Sequence, residues 1–237
     1  MTESRSHRIV WLLEELGVQY ELKLYKRTKE FRAPPELKKV HPLGKSPLVE
    51  IIRPNRPHLV LAETGHIMQY LVQNYDHSKK FIARNPDEQE QIDYFLHFSE
   101  GTLQPLLVAL LIGLFARKQA PFGTKYFVRL VIGQINRAYY STELVNALDY
   151  LEQYAKGKGG KYILGDKLTP ADIILSFPVA ENIFAQPERA NAILADHIDF
   201  GKRFPTLSEW SKDILKEPKY VKSGEIIEQK MKELGWN

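Results

Sequence analysis

Two short stretches carry residues able to grip a small polar ligand: His41-Pro42-Leu43-Gly44-Lys45-Ser46-Pro47-Leu48-Val49-Glu50 and Leu61-Ala62-Glu63-Thr64-Gly65. In the first, a loop bearing proline and glycine runs into a strand that must begin at Pro47 or hold it at an edge. Proline lacks the donor that a sheet ladder needs, and a cis bond is one way to seat it there. The backbone of Ser46 is then left unpaired and facing outward, which suits pairing with an extended, peptide-like ligand. Taken alone, the stretch fits a structural turn equally well. Gly44-Lys45-Ser46 does not end a phosphate-binding loop, because the glycine required five positions earlier is Lys39 and no hydrophobic strand leads in. In the second stretch, Glu63 and Thr64 open a helix that runs to Tyr75, so Thr64 is also readable as an ordinary helix cap.

Other chemistries are closed off by what the chain lacks. There is no cysteine, so disulfides, thiolate metal sites and cysteine nucleophiles are excluded, and a nucleophilic sulfur would have to arrive with the ligand. The seven histidines form no close pair of ligands, and no metal site is expected. Gly157-Lys158-Gly159-Gly160 is no dinucleotide fingerprint, since the third glycine of that pattern falls on Tyr162. A net charge of +4 with Lys and Arg spread along the chain gives no reason to expect nucleic acid as a partner, though a small anionic ligand is compatible with it. Met1-Thr2-Glu3-Ser4-Arg5 lacks the pattern of a signal peptide. The longest apolar run, Leu106–Ala116, is too short to span a bilayer, so membrane association is expected to be peripheral at most and the cytoplasm is the default location.

The elements that must position these residues follow from periodicity. Ile9, Leu12, Leu13 and Leu16 mark a helix over Ser4–Leu16, with Gly17 as its C-cap and Ser6 inside it. Tyr20–Tyr25 alternates with period two and predicts a strand. Pro34-Pro35 starts a short helix. Leu48–Ile52 and Leu59–Leu61, separated by Arg53-Pro54-Asn55-Arg56-Pro57, predict an antiparallel hairpin with a long turn. Beyond the polar linker everything reads as helical. Pro105 is expected to kink the first long helix, and a second covers Tyr126–Ala155. Leu168-Thr169-Pro170-Ala171-Asp172-Ile173 fits a helix start at four positions, with Thr169 as N-cap, Pro170 first, Asp172 third, and a Leu168/Ile173 staple. Thr169 and Asp172 are therefore assigned to folding and given no catalytic work.

Pro42-Leu43-Gly44-Lys45-Ser46-Pro47-Leu48, Leu61-Ala62-Glu63-Thr64-Gly65 and Phe31-Arg32-Ala33-Pro34-Pro35-Glu36-Leu37, in that order and spacing, resemble the glutathione transferases, and within them the fungal, yeast-type branch, over nearly the whole chain. The resemblance implies an α/β plus all-α fold. Residues 1–76 would form a thioredoxin-like glutathione-binding domain around a four-stranded mixed sheet, 77–86 a linker, and 87–237 an all-helical domain with the hydrophobic co-substrate site. It implies a homodimeric enzyme adding the glutathione thiolate to small hydrophobic electrophiles, with glutathione-dependent peroxidase activity as a further expectation. The alternative is a non-enzymatic glutathione-binding or regulatory protein of the same fold. Glutathione is expected as a co-substrate, without a metal. By the same resemblance, Ser46 pairs its backbone with the cysteinyl unit beside a cis Pro47, Lys45 holds the glycyl carboxylate, and Glu63 and Thr64 take the γ-glutamyl end. Ser4 sits where serine-type members carry the hydroxyl that stabilises the thiolate, although it is also a good N-cap. Tyr94-Phe95-Leu96-His97-Phe98 would lie near the electrophile, while each residue singly reads as core. The sequence departs from the family at its start. Only Met1-Thr2-Glu3 precede the first helix, where a strand needs about five or six residues. The family's first strand is thus expected to be missing, which predicts that the native protein begins about ten residues upstream or that this chain is truncated. As written, it is expected to be less stable and poorly active.

Overall fold

A computed structural model describes residues 5–28, 32–194 and 197–236. The chain divides into two compact units, Met1–Ala83 with Lys216–Asn237, and Arg84–Leu215.

The first unit is built on helix α1, His7–Leu16, which closes on Gly17 in the left-handed region (φ 66°) with the Gly17 N–H bonded to the Glu14 carbonyl. A residue with a Cβ would pay for that conformation, which is why glycine ends the helix. Seven consecutive residues of α1, His7 to Leu13, are buried. Trp11 and Leu12 are wholly enclosed, each contributing about 1.5–3 kcal/mol by leaving water. After α1 come a short helix α2, Leu37–Val40, and the hairpin of β1, Leu48–Ile51, with β2, Leu59–Ala62. The register runs antiparallel from Leu48 opposite Ala62 to Ile51 opposite Leu59. The turn is tied by two hydrogen bonds from the Arg53 guanidinium to the Pro57 carbonyl (2.8 and 3.2 Å). Helix α3, Thr64–Tyr75, follows and buries Ile67, Met68 and Leu71.

Tyr20–Tyr25 is not a strand. Its residues alternate between half-buried and exposed, as the sequence pattern requires, but their backbone makes no ladder among the described residues. Period two fixes an extended chain with one covered side. A strand needs a neighbour as well, and β1 and β2 pair only with each other. Among the described residues the sheet therefore has two strands, where the resemblance implied four.

The last helix, α12, Pro218–Glu233, packs on α1 and belongs to the first unit, although the sequence placed it with the helical domain. Its grip on α1 is polar at both ends. The buried His7 ring shares a 2.7 Å hydrogen bond between Nε2 and the Ser223 hydroxyl and lies 4.6 Å from the Tyr220 ring. At the other end, Lys219 Nζ donates to the Glu14 carbonyl (2.7 Å), where a cation meets the negative end of the helix dipole, and Lys222 Nζ pairs with the Glu14 carboxylate (2.7 Å). Burial alone would raise the Glu14 carboxyl. The hydrogen bonds from Lys222 and Tyr20 and the charges of Lys222 and Lys219 outweigh it and hold the group below its ordinary value. Sequence periodicity cannot show this docking, because the partners lie some two hundred residues apart in the chain.

The regular elements of the second unit among the described residues are helices, apart from one isolated bridge between Tyr162 and Gly165. Helix α4, Pro86–Phe98, starts at Asn85, whose side chain accepts from the Glu88 N–H (2.9 Å). It continues through a π-helical segment, Ser99–Leu103, into α5, Gln104–Gln119. The expected break at Pro105 is absorbed by this wider turn, which accommodates the missing donor and the ring without ending the helix. Helix α6, Lys125–Ile135, passes in the same manner through Asn136–Tyr140 into α7, Ser141–Lys158. Helix α8, Pro170–Leu175, begins with the capping box expected at Thr169 and Asp172. Asp172 is fully enclosed and accepts four hydrogen bonds, from the Ile163 and Thr169 N–H groups, the Thr169 hydroxyl and Trp210 Nε1, at 2.8–3.0 Å. Burial pushes its carboxyl up, and the four donors work against that. Helices α9, Pro187–Leu194, α10, Phe200–Arg203, and α11, Pro205–Ile214, complete the unit, with Trp210 and Ile214 in its core.

Candidate active site

A small cavity in the first unit is lined by Arg5, His41, Leu43, Lys45, Ser46, Pro47, Leu48, Ala62, Glu63 and Thr64. All five ligand-binding residues expected in the two stretches, Lys45, Ser46, Pro47, Glu63 and Thr64, are thus brought to one place. The β1–β2 pairing does this, since the register that sets Leu48 opposite Ala62 puts the residues entering β1 beside those leaving β2.

The loop into β1 is shaped at Gly44. That residue has φ 57°, its N–H bonds to the His41 carbonyl (2.8 Å), and an added Cβ would come within 2.7 Å of the Lys38 side chain. The Ser46–Pro47 peptide is cis. Ser46 is exposed and Pro47 buried. Neither the N–H nor the carbonyl of Ser46 has a backbone partner among the described residues, so the edge offered to an extended ligand is open. Across the cavity, Glu63 has φ 67° and ψ 121°. This is outside the regions an L-residue occupies comfortably and costs about 1–3 kcal/mol, which the surrounding fold must offset. The twist starts α3 abruptly, leaving Thr64 buried while Glu63 is exposed. The Glu63 carbonyl accepts from the Ile67 N–H (2.9 Å). The first N–H groups of the helix therefore open at the cavity, as anion-binding helix starts do.

Electrostatically the cavity holds uncompensated charge of both signs. Lys45 and Glu63 make no ion pair or side-chain hydrogen bond among the described residues, and both stand in the lining. A ligand carrying carboxylate and ammonium groups at opposite ends would satisfy both.

Three features were not legible in the sequence. Arg5 and His41 line the cavity without belonging to either stretch's predicted contacts. Ser6, expected inside the helix, occupies the N-cap position of α1 without capping it. Instead its hydroxyl shares a 2.7 Å hydrogen bond with the Ser46 hydroxyl, forty residues on. The only available signal was a second hydroxyl two residues after Ser4. Ser4 itself, the expected catalytic residue, lies outside the described residues. In the second unit, Phe95 and Leu96 are core, while Tyr94 is half exposed and stacks on Phe98 (5.7 Å), with Tyr150 edge-on to both. Burial and a hydrogen bond with Tyr94 raise the Tyr150 hydroxyl well above its ordinary range.

A cis-proline loop at a hairpin, a strained residue before a helix start and a helical second unit are the features expected from the resemblance to the glutathione transferases. Comparison with known proteins agrees. Residues 1–73 match the profile of the glutathione S-transferase N-terminal domain and residues 133–222 that of the C-terminal domain. Glutathione S-transferase 1 of Saccharomyces cerevisiae is 39% identical over 231 residues, covering 95% of this chain and 92% of that protein. Among solved structures, a glutathione S-transferase of Actinobacillus pleuropneumoniae is 31% identical with a TM-score of 0.67, covering 94% of this chain and 88% of that one. A glutathione transferase homolog of Lodderomyces elongisporus, solved with two glutathione molecules per subunit, is 25% identical with a TM-score of 0.71, covering 94% of each chain. The chain belongs to the glutathione S-transferase family. It is of the fungal type and is an enzyme.

Proposed function

We propose that the chain binds glutathione in the cavity described above and adds its thiolate to small hydrophobic electrophiles, acting as a cytoplasmic homodimer, with reduction of organic hydroperoxides as a second reaction. One observation carries the reading. The open backbone of Ser46 beside the cis Pro47 shares the cavity lining with two uncompensated charges of opposite sign, Lys45 and Glu63. Glutathione presents the complement, with a peptide-like cysteinyl unit in the middle, a glycyl carboxylate at one end and an ammonium and carboxylate at the other. Ser46 pairs with the cysteinyl backbone and Lys45 with the glycyl carboxylate. Glu63 faces the γ-glutamyl ammonium, and Thr64 with the start of α3 faces its carboxylate.

In conjugation the thiol proton leaves to solvent, sulfur attacks an electrophilic carbon, an S–C bond forms and a leaving group such as halide departs with its electron pair. In peroxide reduction two glutathione molecules are oxidised to the disulfide while the hydroperoxide becomes an alcohol and water. Both need thiolate. A thiol with a pKa of about 8.5 is mostly protonated at neutral pH, and lowering it by two units takes about 2.7 kcal/mol. A helix N-terminus supplies about 0.3–1 kcal/mol, and about 2 kcal/mol in favourable partly buried geometries, and a hydroxyl donated to the anion about 1.5–3 kcal/mol, so the range the two span includes the amount needed without a general base.

Ser4 is the proposed donor of that hydroxyl, supported by its neighbour Arg5 lining the cavity. A specific observation favours a second candidate: the Ser6 hydroxyl already stands at 2.7 Å from that of Ser46. Ser4→Ala and Ser6→Ala, each read by the pH dependence of turnover, decide between them. The variant that raises the apparent thiol pKa by one unit or more, about 1.4 kcal/mol, has lost the donor, and an unchanged profile clears that serine of the role. The overall reading is tested with a generic aryl halide and glutathione. Turnover is expected, and Lys45→Ala should raise the Michaelis constant for glutathione with little change in kcat, as loss of uniform binding does. A Lys45→Ala variant losing kcat alone would contradict the assignment of Lys45.

A further inference from the structure

Helix α12 buries Ser223 and Ile227, and the serine is the more completely enclosed of the two. A hydroxyl taken out of water is costly unless it is bonded, so for docking alone an alanine or leucine would serve better. Ser223 is bonded on both sides. Its proton goes to the Tyr220 carbonyl one turn back (2.7 Å), which leaves the oxygen to accept from His7 Nε2 at 2.7 Å. The same Nε2 lies 3.3 Å from the Tyr220 carbonyl, which can only accept. Both neighbours of Nε2 are thus acceptors, and the ring carries its proton there. The Tyr220 ring packs on the buried imidazole at 4.6 Å and meets Trp11 edge-on at 5.3 Å, so His7 is held in one orientation.

His7 is the first residue of α1, and the start of that helix has little local support. Ser6 stands at the N-cap position without capping, and the first turn holds no acid, where acceptors and negative charge ordinarily stabilise the exposed N–H groups. Arg5 and Arg8 instead bring positive charge to the positive end of the helix dipole. Two tertiary hydrogen bonds take the place of a cap. On the cavity side the Ser6 hydroxyl meets that of Ser46 (2.7 Å), and on the other side His7 is bonded into α12. The far end of the same seam is of another kind, a pair between exposed Lys222 and the Glu14 carboxylate, about 10 Å along α1 from His7.

We propose that His7 and Ser223 are a positioning pair for the glutathione site: through their hydrogen bond the C-terminal helix sets the first turn of α1, and with it the Ser6 hydroxyl and Arg5, at the cavity. The inference rests on the reading above, in which a hydroxyl at the start of α1 stabilises the thiolate. Neither residue touches the ligand. Loss of the pair misplaces the start of α1 and so acts on ionisation of the thiol, while Lys45, Glu63 and Thr64, carried by the hairpin and the start of α3, keep their hold on glutathione.

The test uses the full chain. Ser223→Ala deletes the acceptor, His7→Leu the donor, and His7→Gln keeps an N–H at similar reach. Turnover of the aryl halide is followed across pH. Amide hydrogen exchange is followed without glutathione at Ile9 and Val10, whose N–H groups bond the Ser6 carbonyl (3.0 and 3.3 Å). Ser223→Ala and His7→Leu should raise the apparent thiol pKa by about half a unit or more, about threefold in the ionisation constant. They should change the Michaelis constant for glutathione less than about twofold and speed exchange at Ile9 and Val10 about tenfold. His7→Gln should restore native behaviour. Lys222→Ala, which opens the far end of the seam, should leave the pH profile where it is. If His7→Leu does not fold, Ser223→Ala carries the test, with circular dichroism as the check. With the native chain active, an unmoved profile, an equal shift in Lys222→Ala, or His7→Gln no better than His7→Leu overturns the pair's role and leaves the glutathione reading intact. A native chain that neither binds nor turns over glutathione overturns that reading and this inference together.

Discussion

Helices α1 and α6 are of nearly equal length and both are rich in apolar residues, yet their fates are opposite. In α1 seven consecutive residues are buried, under α3 on one side and α12 on another. In α6 nothing is buried. The difference teaches that an apolar stripe states a demand for cover without naming the cover. For α1 the cover is within its own unit, brought from the far end of the chain. For α6 its unit covers one line, where Ile132 approaches Gly113 of α5, and Tyr126, Phe127, Leu130 and Val131 stay exposed.

If that contrast is right, the largest effect belongs to the middle of α1. Trp11→Ala removes a wholly enclosed ring and should destabilise the first unit by about 3–5 kcal/mol, measured by denaturant unfolding. A smaller effect comes from the polar seam that holds α12 on α1. The Glu14 carboxyl sits below its ordinary value of 4.5 in the folded state. Its contribution is therefore complete above that value and lost as the pH falls below it through the folded pKa. Thermal melts of the native chain should decline over this acid window, and Lys222→Ala should flatten the decline. An unaltered slope would mean that Glu14 does not hold the seam. The smallest effect lies on α6, where Val131→Ser, on the exposed face, should change stability by no more than about 0.5 kcal/mol. A loss as large as that at Trp11 would show the face to be covered after all and would break the comparison.

What could be read from the sequence was local. The hairpin followed from two apolar runs and a proline-marked turn, Gly17 from the end of a periodic stripe, and the capping box from residues within Leu168–Ile173. Ser46–Pro47 and Glu63–Thr64 were legible as a proline opening a strand and a polar pair opening a helix, whereas their grouping with Lys45 in one site came from the resemblance to the glutathione transferases. Misreadings arose wherever a partner was needed from afar. Tyr20–Tyr25 has the alternation of a strand but makes no ladder among the described residues. Ser6 was read as helical because nothing in its vicinity reveals a hydroxyl forty residues away. The return of α12 was invisible for the same reason, and Pro105 was expected to break a helix that instead widens by one π-helical segment.

The docking of α12 on α1 has a bearing on the order of synthesis. Residues 84–215 form one unbroken stretch and have all their unit's partners once the ribosome has passed them. The first unit, although its opening segment is made earliest, lacks its last helix until Pro218–Glu233 emerges. At about 5–20 residues per second, the buried side of α1 that faces α12 waits on the order of ten seconds or more for its cover. During that interval His7 and the α12-facing part of Trp11 are open to solvent and to chaperones. The unit translated first is thus the one finished last.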